Sequence, residues 1–327
     1  MDLESLAAGL QGGQRRALAK AITLIENQRT DKRAQANQLV TRLLPKTGRA
    51  IRVGISGVPG VGKSTFIEAL GLMLIERGHK VAVLAVDPSS QITGGSIMGD
   101  KVRMERLARQ ANAFIRPSPS SGSLGGVTRR TRESMLLCEA AGFDVLLIET
   151  VGVGQSEVTV CEMVDYFMVL LLPGAGDEIQ GIKKGIIEMA DGLVINKADG
   201  EMKNAAARAA SFYRSALHFT RPKIPGWTVP ICQTSGLNGQ GLDKVWEAVL
   251  SHRSFLEKEG HLDRLRADQV RLWFHSALRD NLLDRLYSNP DVKARISALT
   301  GEMEASRRAP HDCADEVLEL FLDQDLG

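Results

Sequence analysis

The sequence has few cysteines and no cysteine pair at a redox or metal-binding spacing. The four cysteines are Cys138, Cys161, Cys232 and Cys313, and none forms a C-x-x-C motif. Disulfide-rich domains and zinc ribbons need clustered cysteines, so neither class is indicated. The six histidines are dispersed as well, which leaves no histidine-rich metal tract. We expect free thiols and a reducing compartment.

Long apolar runs and a large excess of charge of one sign are also absent. No apolar run approaches about 18 residues, the length expected of a membrane-spanning helix. The N-terminus carries Asp2 and Glu4 rather than a basic region before an apolar segment, so no secretion signal is predicted. The net charge is only +2. These features predict a cytoplasmic protein with no membrane and no nucleic-acid partner.

The strongest motif present is a glycine-rich segment between a β-like run and an apolar helical run. It consists of Gly57, Val58, Pro59, Gly60, Val61, Gly62, Lys63, Ser64 and Thr65. This order matches the strand, G-x-x-x-x-G-K-[ST], helix layout of a phosphate-binding loop. Backbone N–H groups would surround a β-phosphate, Lys63 would reach the β and γ oxygens, and the Ser64 hydroxyl would bind Mg²⁺. We predict a nucleotide site here, with Lys63 also catalytic.

Strand-like runs alternate with helical patterns over the middle of the chain. The seven runs are Ile51 to Ser56, Lys80 to Val86, Ala113 to Arg116, Asp144 to Glu149, Tyr166 to Leu172, Gly192 to Asn196 and Thr228 to Gln233. Such alternation predicts an α/β fold with a mostly parallel central sheet flanked by helices on both faces. Ligands of such sheets bind at the carboxyl ends of the strands.

Helical patterns alone occupy both ends of the chain. The N-terminal segment has the spacing of two helices with a break near 27–31, and only helical patterns follow Gly241. We divide the chain into an N-terminal helical extension (1–48), a phosphate-loop domain (49–255) and a C-terminal helical arm (256–327). The apolar face of the arm either packs on its own domain or forms a homodimer, and we adopt the homodimer as the prediction.

A second nucleotide motif, N-K-x-D, is formed by Asn196, Lys197 and Asp199. The Asp199 carboxylate would accept hydrogen bonds from the N1–H and 2-amino groups of guanine, which adenine lacks. Taken alone, the tetrapeptide is also compatible with a helix start capped by Asn196 or Asp199. Three further residues follow the last strand-like run and are placed to close over the base: Ser235, Gly236 and Leu237. Together these residues predict GTP or GDP as the ligand.

Three carboxylates are candidate Mg²⁺ ligands beside Ser64. Glu149 ends a buried strand-like run at a position where most nucleotide-hydrolysing proteins of this layout have Asp, and it can hold Mg²⁺ directly or through water. Asp87 ends the second run, and Asp100 closes a glycine-rich segment. Asp87 and Asp100 are also compatible with helix capping. We predict metal or water roles because these loops would face the phosphates.

Gly152 and Gln155, which follow Glu149 in the sequence, are candidate catalytic residues. The segment 152–157 reads GVGQSE. The Gly152 N–H would contact a γ-phosphate, and Gln155 would orient an attacking water.

Six segments together resemble the MeaB/ArgK family of GTPases, within the SIMIBI class of phosphate-loop proteins. They are GVPGVGKST (57–65), AVDPSS (85–90), GGSIMGDKVRM (94–104), IETVGVGQSE (148–157), PGAGDEIQGIKKGI (173–186) and NKADG (196–200). The stretch from Asp177 to Lys184 has no counterpart in ordinary signalling GTPases. The resemblance implies that Asp177, Gln180 and Lys183 belong to a third mobile switch that transmits nucleotide state to a partner. The alternative is an amphipathic helix with solvated charges.

The resemblance also implies a biological role. Members act as GTP-hydrolysing chaperones of an adenosylcobalamin-dependent acyl-CoA mutase, chiefly methylmalonyl-CoA mutase, and they gate cofactor loading and protect the mutase from inactivation. Their own ligands are Mg²⁺ and GTP or GDP. The sequence offers no identifiable intrinsic arginine finger, so we expect slow basal hydrolysis that the mutase accelerates.

Two other functions share parts of this pattern. A small-molecule kinase would need an acceptor pocket with a positioned base, and no such base is identifiable in the sequence. A nickel-insertion GTPase would need Cys or His ligands near the nucleotide or a His-rich tract. Both stay open as alternatives to the chaperone GTPase.

Overall fold

A seven-stranded sheet forms the centre of the protein. The computed structural model describes residues 2–27, 29–86, 104–117, 124–150, 156–174, 184–219 and 223–325. The strands are β1 (Ile51–Gly57), β2 (Val81–Val86), β3 (Ala113–Arg116), β4 (Val145–Thr150), β5 (Tyr166–Leu171), β6 (Gly192–Ile195) and β7 (Ile231–Gln233). Their order is β3-β2-β4-β1-β5-β6-β7, and all neighbours pair in parallel. The predicted α/β fold and its seven strands are confirmed.

The strand sequences are apolar because helices cover both faces of the sheet. Strands β2, β4 and β5 read VAVLAV, VLLIET and YFMVLL and are buried along their whole length, as expected of parallel strands between two helical layers. Strand β7 is shorter than the predicted run 228–233. Pro230 directly precedes it, and proline has no N–H to donate to a ladder.

Helices account for most of the remaining described residues. They are α1 (Leu3–Gln11), α2 (Arg15–Glu26), α3 (Thr30–Leu43), α4 (Lys63–Glu76), α5 (Glu105–Ala108), α6 (Leu124–Ala140), α7 (Ser156–Cys161), α8 (Lys184–Met189), α9 (Lys203–Leu217), α10 (Leu242–Lys258), α11 (His261–Ser288), α12 (Pro290–Glu304) and α13 (Pro310–Asp325). Within the described ranges, none of them is long and apolar enough to cross a membrane. All four cysteines are free thiols, as expected.

Two buried layers enclose the sheet. One layer joins α1, α2, α3, α6, α7 and α9 to sheet residues such as Leu146 and Phe167. The other joins α4 and α10 to residues such as Leu147 and Met168 on the opposite face. Since α1, α2 and α3 share a continuous core with the sheet, these helices are packed as part of the same compact unit.

The prediction of two helices before the sheet is wrong, because three are present. Helix α1 ends at Gln11, and the chain then turns through Gly12 and Gly13 before α2 begins at Arg15. Gly13 has a φ of 71°, a left-handed conformation that glycine adopts without strain. The predicted break near 27–31 is confirmed, since α2 ends at Glu26 and α3 begins at Thr30.

The chain forms two compact units, Met1–Val270 and Arg271–Gly327, which divide inside α11. The predicted helical C-terminal region is therefore present, whereas the domain boundaries at 48 and 255 stay predictions. The second unit has a small core of its own, formed by Leu286, Val292, Leu299, Cys313, Val317 and Phe321.

A buried ion pair joins the first turns of α11 to the sheet within the larger unit. Arg266 donates from Nε and Nη2 to the two carboxylate oxygens of Asp165 at 3.0 and 2.8 Å, and Nη2 also donates to the Ala50 carbonyl at 2.8 Å. Asp165 in turn accepts from the Arg52 N–H at 3.0 Å. A two-pronged Arg–carboxylate contact fixes geometry as well as adding energy, so this cluster holds α11 against the amino ends of β1 and β5.

Candidate active site

The glycine-rich segment forms the turn between the central strand β1 and helix α4. Gly62 directly precedes α4 with a φ of 90°, and a Cβ there would lie 2.9 Å from Asn196 Nδ2. At Gly57 a Cβ would lie 2.6 Å from the Leu170 carbonyl oxygen. Gly57 also has a positive φ, of 153°, so both positions require glycine for conformation as well as for space. The turn places the N-terminus of α4, with its unpaired N–H groups, at the carboxyl edge of the sheet.

Lys63 lies inside this turn. Its side chain is buried, and Nζ donates to the carbonyls of Gly57 at 2.7 Å and Val58 at 3.4 Å. Burial lowers the pKa of the Lys63 ammonium, and the carboxylates of Glu149 and Glu157 oppose that shift. The ammonium is therefore held by the loop whose N–H groups are predicted to bind phosphate.

Ser64, in the first turn of α4, meets Glu149 near the end of β4, the strand that pairs with β1. Strands β1 and β4 pair in register with Ile55 opposite Glu149, and the Ser64 hydroxyl donates to Glu149 Oε1 at 3.2 Å. Beneath them, Thr150 Oγ1 donates to Ser56 Oγ at 3.0 Å between the same strands. This second contact was not predicted from the sequence. It holds the ends of the two strands together under the predicted metal ligands.

The donor set fits Mg²⁺. A hydroxyl oxygen and a carboxylate oxygen are the hard ligands that Mg²⁺ prefers, and the ion commonly takes its other ligands from phosphates and water. In the described part of the chain, no group of three or more His, Cys, Asp or Glu side chains is arranged to hold a metal. Asp87 and Asp100, the other predicted metal ligands, lie outside the described residues.

Asn196 connects the phosphate loop to the segment predicted to enclose the base. It is buried at the end of β6, and its Nδ2 donates to the Val61 carbonyl at 2.9 Å. Its Oδ1 accepts from the Gly236 N–H at 3.0 Å and from Thr234 Oγ1 at 3.3 Å. The first residue of the N-K-x-D motif therefore hydrogen-bonds both the phosphate loop and the loop that follows β7. The motif predicted its importance, and Thr234 is a partner that the sequence did not reveal.

Lys197 is a second link to the phosphate loop. Its backbone has a φ of 58°, and Nζ donates to the Gly60 carbonyl at 2.7 Å. A positive φ in a residue with a long side chain is uncommon and is found where the surroundings enforce it. Here the next residue, Ala198, is hydrogen-bonded from its N–H to the Thr234 carbonyl at 2.8 Å.

Asp199 is partly buried and occupies the cap position of the helical turn Gly200–Met202. Its side chain makes no capping hydrogen bond there. The alternative in which this carboxylate serves only as a helix cap is therefore not supported, and it stays a candidate ligand for guanine.

The segment after β7 lies against the first turn of α4. The Ser235 side chain is buried, whereas Leu237 is 83% exposed. A Cβ on Gly236 would lie 3.0 Å from the Phe66 Cα, so glycine is needed for this close approach. The three residues lie where the sequence placed them, beside the N-K-x-D motif.

Several predicted functional residues lie outside the described ranges. These are the catalytic candidates Gly152 and Gln155 and the switch candidates Asp177, Gln180 and Lys183.

Comparison with known proteins gives a consistent family for almost the whole chain. A family model described as Methylmalonyl Co-A mutase-associated GTPase MeaB matches residues 18–291. A putative GTPase of Caulobacter vibrioides is 55% identical over 321 residues, which cover 98% of both chains. The GTPase ArgK of Escherichia coli is 49% identical over 282 residues, or 86% of this chain and 85% of the relative. The crystal structure of an LAO/AO transport system kinase matches with a TM-score of 0.76 at 38% identity, over 98% of this chain and 97% of that one.

Proposed function

The chain belongs to the family of methylmalonyl-CoA mutase-associated GTPases, and we propose that it is a nucleotide-dependent chaperone of an adenosylcobalamin-dependent methylmalonyl-CoA mutase. The resemblance to this family inferred from the motifs is confirmed. As a member of the family the protein binds guanine nucleotides and hydrolyses GTP. The proposal concerns its client and how the site is coupled to that client.

The proposed nucleotide site combines the two motifs. Residues 57–65 surround the phosphates, with Lys63 on the β and γ oxygens. Asp199 binds the guanine edge, with Asn196, Lys197 and the loop Ser235, Gly236 and Leu237 around the base. Ser64 and Glu149 hold Mg²⁺, which when bound neutralises charge on the phosphates. We propose that the Gly152 N–H contacts the γ-phosphate and that Gln155 orients the attacking water. Asp87 and Asp100 are proposed to bind the metal or its water ligands.

The observation that best supports this proposal is the position of Asn196. One buried amide bonds the phosphate loop through the Val61 carbonyl and the base loop through the Gly236 N–H. A ligand bound at the phosphate loop therefore affects the geometry of the base loop, and a bound base affects the phosphate loop. Such a connection suits a protein whose task is to report nucleotide state.

The proposed reporter to the client is the segment that contains Asp177, Gln180 and Lys183. A γ-phosphate can hold neighbouring loops in one arrangement and release them on hydrolysis. In this scheme, GTP and GDP forms differ in affinity for the mutase, and the mutase reorders the catalytic loops. That coupling would gate cofactor loading and protect the mutase from inactivation.

We predict that a methylmalonyl-CoA mutase accelerates GTP hydrolysis. No arginine finger was identifiable, and supplying the missing transition-state charge or order is worth about 10³-fold or more in GTPases. The expected result is at least a tenfold rise in phosphate release on adding the mutase. Retention of the mutase on immobilised protein should also differ between GDP and a non-hydrolysable GTP analogue. An unrelated adenosylcobalamin enzyme serves as the control. Equal hydrolysis with and without the mutase, and equal retention with both nucleotides, would contradict the proposal.

We also propose a homodimer formed through the C-terminal helices. The second compact unit exposes Phe274, Leu278 and Leu282 at 62, 56 and 55%, spaced four residues apart on α11. Exposed apolar stripes of this kind are characteristic of association surfaces. We expect the protein to have twice the chain mass by light scattering and the variant Leu278→Asp to have the mass of one chain. Leu250→Asp, on the partly exposed face of α10, is the control. A monomeric wild-type protein at tens of micromolar would refute this arrangement.

A further inference from the structure

Glu157 is a buried carboxylate that the proposed mechanism does not use. It lies in the first turn of α7, its side chain is 3% exposed, and its Oε2 atom is buried without a hydrogen-bond partner among the described residues. Burying a charge without a hydrogen bond is costly. A group of this kind next to a ligand site calls for an explanation in terms of the ligand.

The surroundings of Glu157 direct its charge toward the phosphate loop. Helix α7 contacts β1, which leads into the phosphate loop, and β4, which carries Glu149. The negative charges of Glu149 and Glu157 both act on the Lys63 ammonium. Arg132, a buried cation on α6, lies 4.0 Å from Glu162, the residue that directly follows α7.

Glu149 and Glu157, whose charges both act on Lys63, differ in their other interactions. Glu149 accepts a hydrogen bond from Ser64 and is a proposed metal ligand, so its charge is accounted for when nucleotide and metal are present. Glu157 has no proposed metal role, and no described residue donates a hydrogen bond to its Oε2. When phosphates enter the loop, they compete with Glu157 for Lys63, and their own negative charge is repelled by it. Both effects are strengthened by burial.

We propose that Glu157 is a positioning residue that weakens nucleotide binding and speeds the release of GDP. This inference deepens the proposed function, since it rests on residues 57–65 being the phosphate site. A GTPase that reports to a client must exchange its nucleotide. A buried carboxylate whose charge acts on Lys63 limits how tightly the product is held without taking part in the chemistry.

The test is the substitution Glu157→Gln, which keeps the shape of the side chain and removes its charge. GDP affinity is measured by equilibrium titration with a fluorescent GDP analogue at constant Mg²⁺, and release by stopped flow on the full chain. We expect the Kd for GDP to fall about tenfold, mostly through slower release. The control Glu162→Gln, directly after the same helix and with a side chain 43% exposed, should change the Kd less than twofold.

GMP distinguishes a charge effect from a general change in the site. Because GMP lacks the β-phosphate, its affinity should change less than twofold in Glu157→Gln. If wild-type protein bound GMP as tightly as GDP, the phosphate-site assignment itself would fail. If it preferred GDP and folded Glu157→Gln bound GDP no more tightly, this inference alone would be overturned. If thermal unfolding shows that Glu157→Gln is not folded, Glu157→Met, which removes the same charge, takes its place and must also bind GDP about tenfold more tightly.

Discussion

Replacement of Lys63 by alanine is expected to lower the rate of GTP hydrolysis by at least about 10³-fold and to weaken GDP binding by at least about 100-fold. The reason is electrostatic. Lys63 is the buried cation of the phosphate loop, and charge stabilisation in a water-poor site is usually the largest single contribution to catalysis. Alanine also removes the hydrogen bonds that Lys63 Nζ donates to the carbonyls of Gly57 and Val58. Phosphate release and fluorescent GDP titration measure the two losses.

The matched control for this experiment is Lys80→Ala. Lys80 is an exposed lysine just before β2, at the opposite end of the sheet from the phosphate loop. Its removal changes the net charge by the same amount, so any loss through overall electrostatics appears in both variants. We expect the control to retain activity within about twofold. A Lys63→Ala variant that folds and still hydrolyses GTP at a tenth of the wild-type rate or faster would remove residues 57–65 from the active site.

The two nucleotide motifs were recognisable from the sequence because each is a short run whose residues act together. The phosphate loop needs glycines, a lysine and a hydroxyl within nine positions, and the base motif needs four. The fold was equally accessible, since β2, β4 and β5 are continuous apolar runs and parallel strands between two helical layers have that pattern.

Contacts between distant segments were beyond the reach of such patterns. The bond from Asn196 to the Val61 carbonyl spans 135 positions, and the Thr150 to Ser56 bond spans 94. Neither pair has a spacing that marks it, because only the order of strands in the sheet brings the two ends together. Glu157 belongs to a segment that the sequence singled out, GVGQSE. Its burial could not be predicted, because it depends on the packing of α7 against β1 and β4.

The error at the N-terminus has a local physical cause. Apolar residues continue at helical spacing from α1 into α2, so periodicity alone predicts one helix there. Gly12 and Gly13 end it, and Gln14 starts the next helix without a side-chain cap. No Ser, Thr, Asp or Asn cap marks the start of α2, so only the pair of glycines indicates in the sequence that α1 ends before it.

The second large effect is expected for Asp199→Asn, which should change the base that the protein prefers. Guanine offers two donors, N1–H and the 2-amino group, and a carboxylate accepts both. Xanthine replaces the amino group with a carbonyl oxygen, which an Asn amide matches because it accepts from N1–H and donates to that oxygen. Hydrogen bonds to a charged group are worth about 1.5–3 kcal/mol each. We therefore expect GTP affinity to fall at least about 100-fold and xanthosine triphosphate to become the better ligand.

The structure makes this substitution a clean test of base recognition. Asp199 makes no capping hydrogen bond, so the change to asparagine should leave the loop intact, and thermal unfolding checks that it does. Glu201→Gln, an exposed neighbour in the same helical turn, removes a similar charge and should keep the preference for GTP. Competition of GTP, xanthosine triphosphate and ATP against fluorescent GDP gives the three affinities. If Asp199→Asn kept the wild-type preference for GTP over both rivals, the guanine edge would have to be bound elsewhere, because an amide cannot satisfy both guanine donors as the carboxylate does.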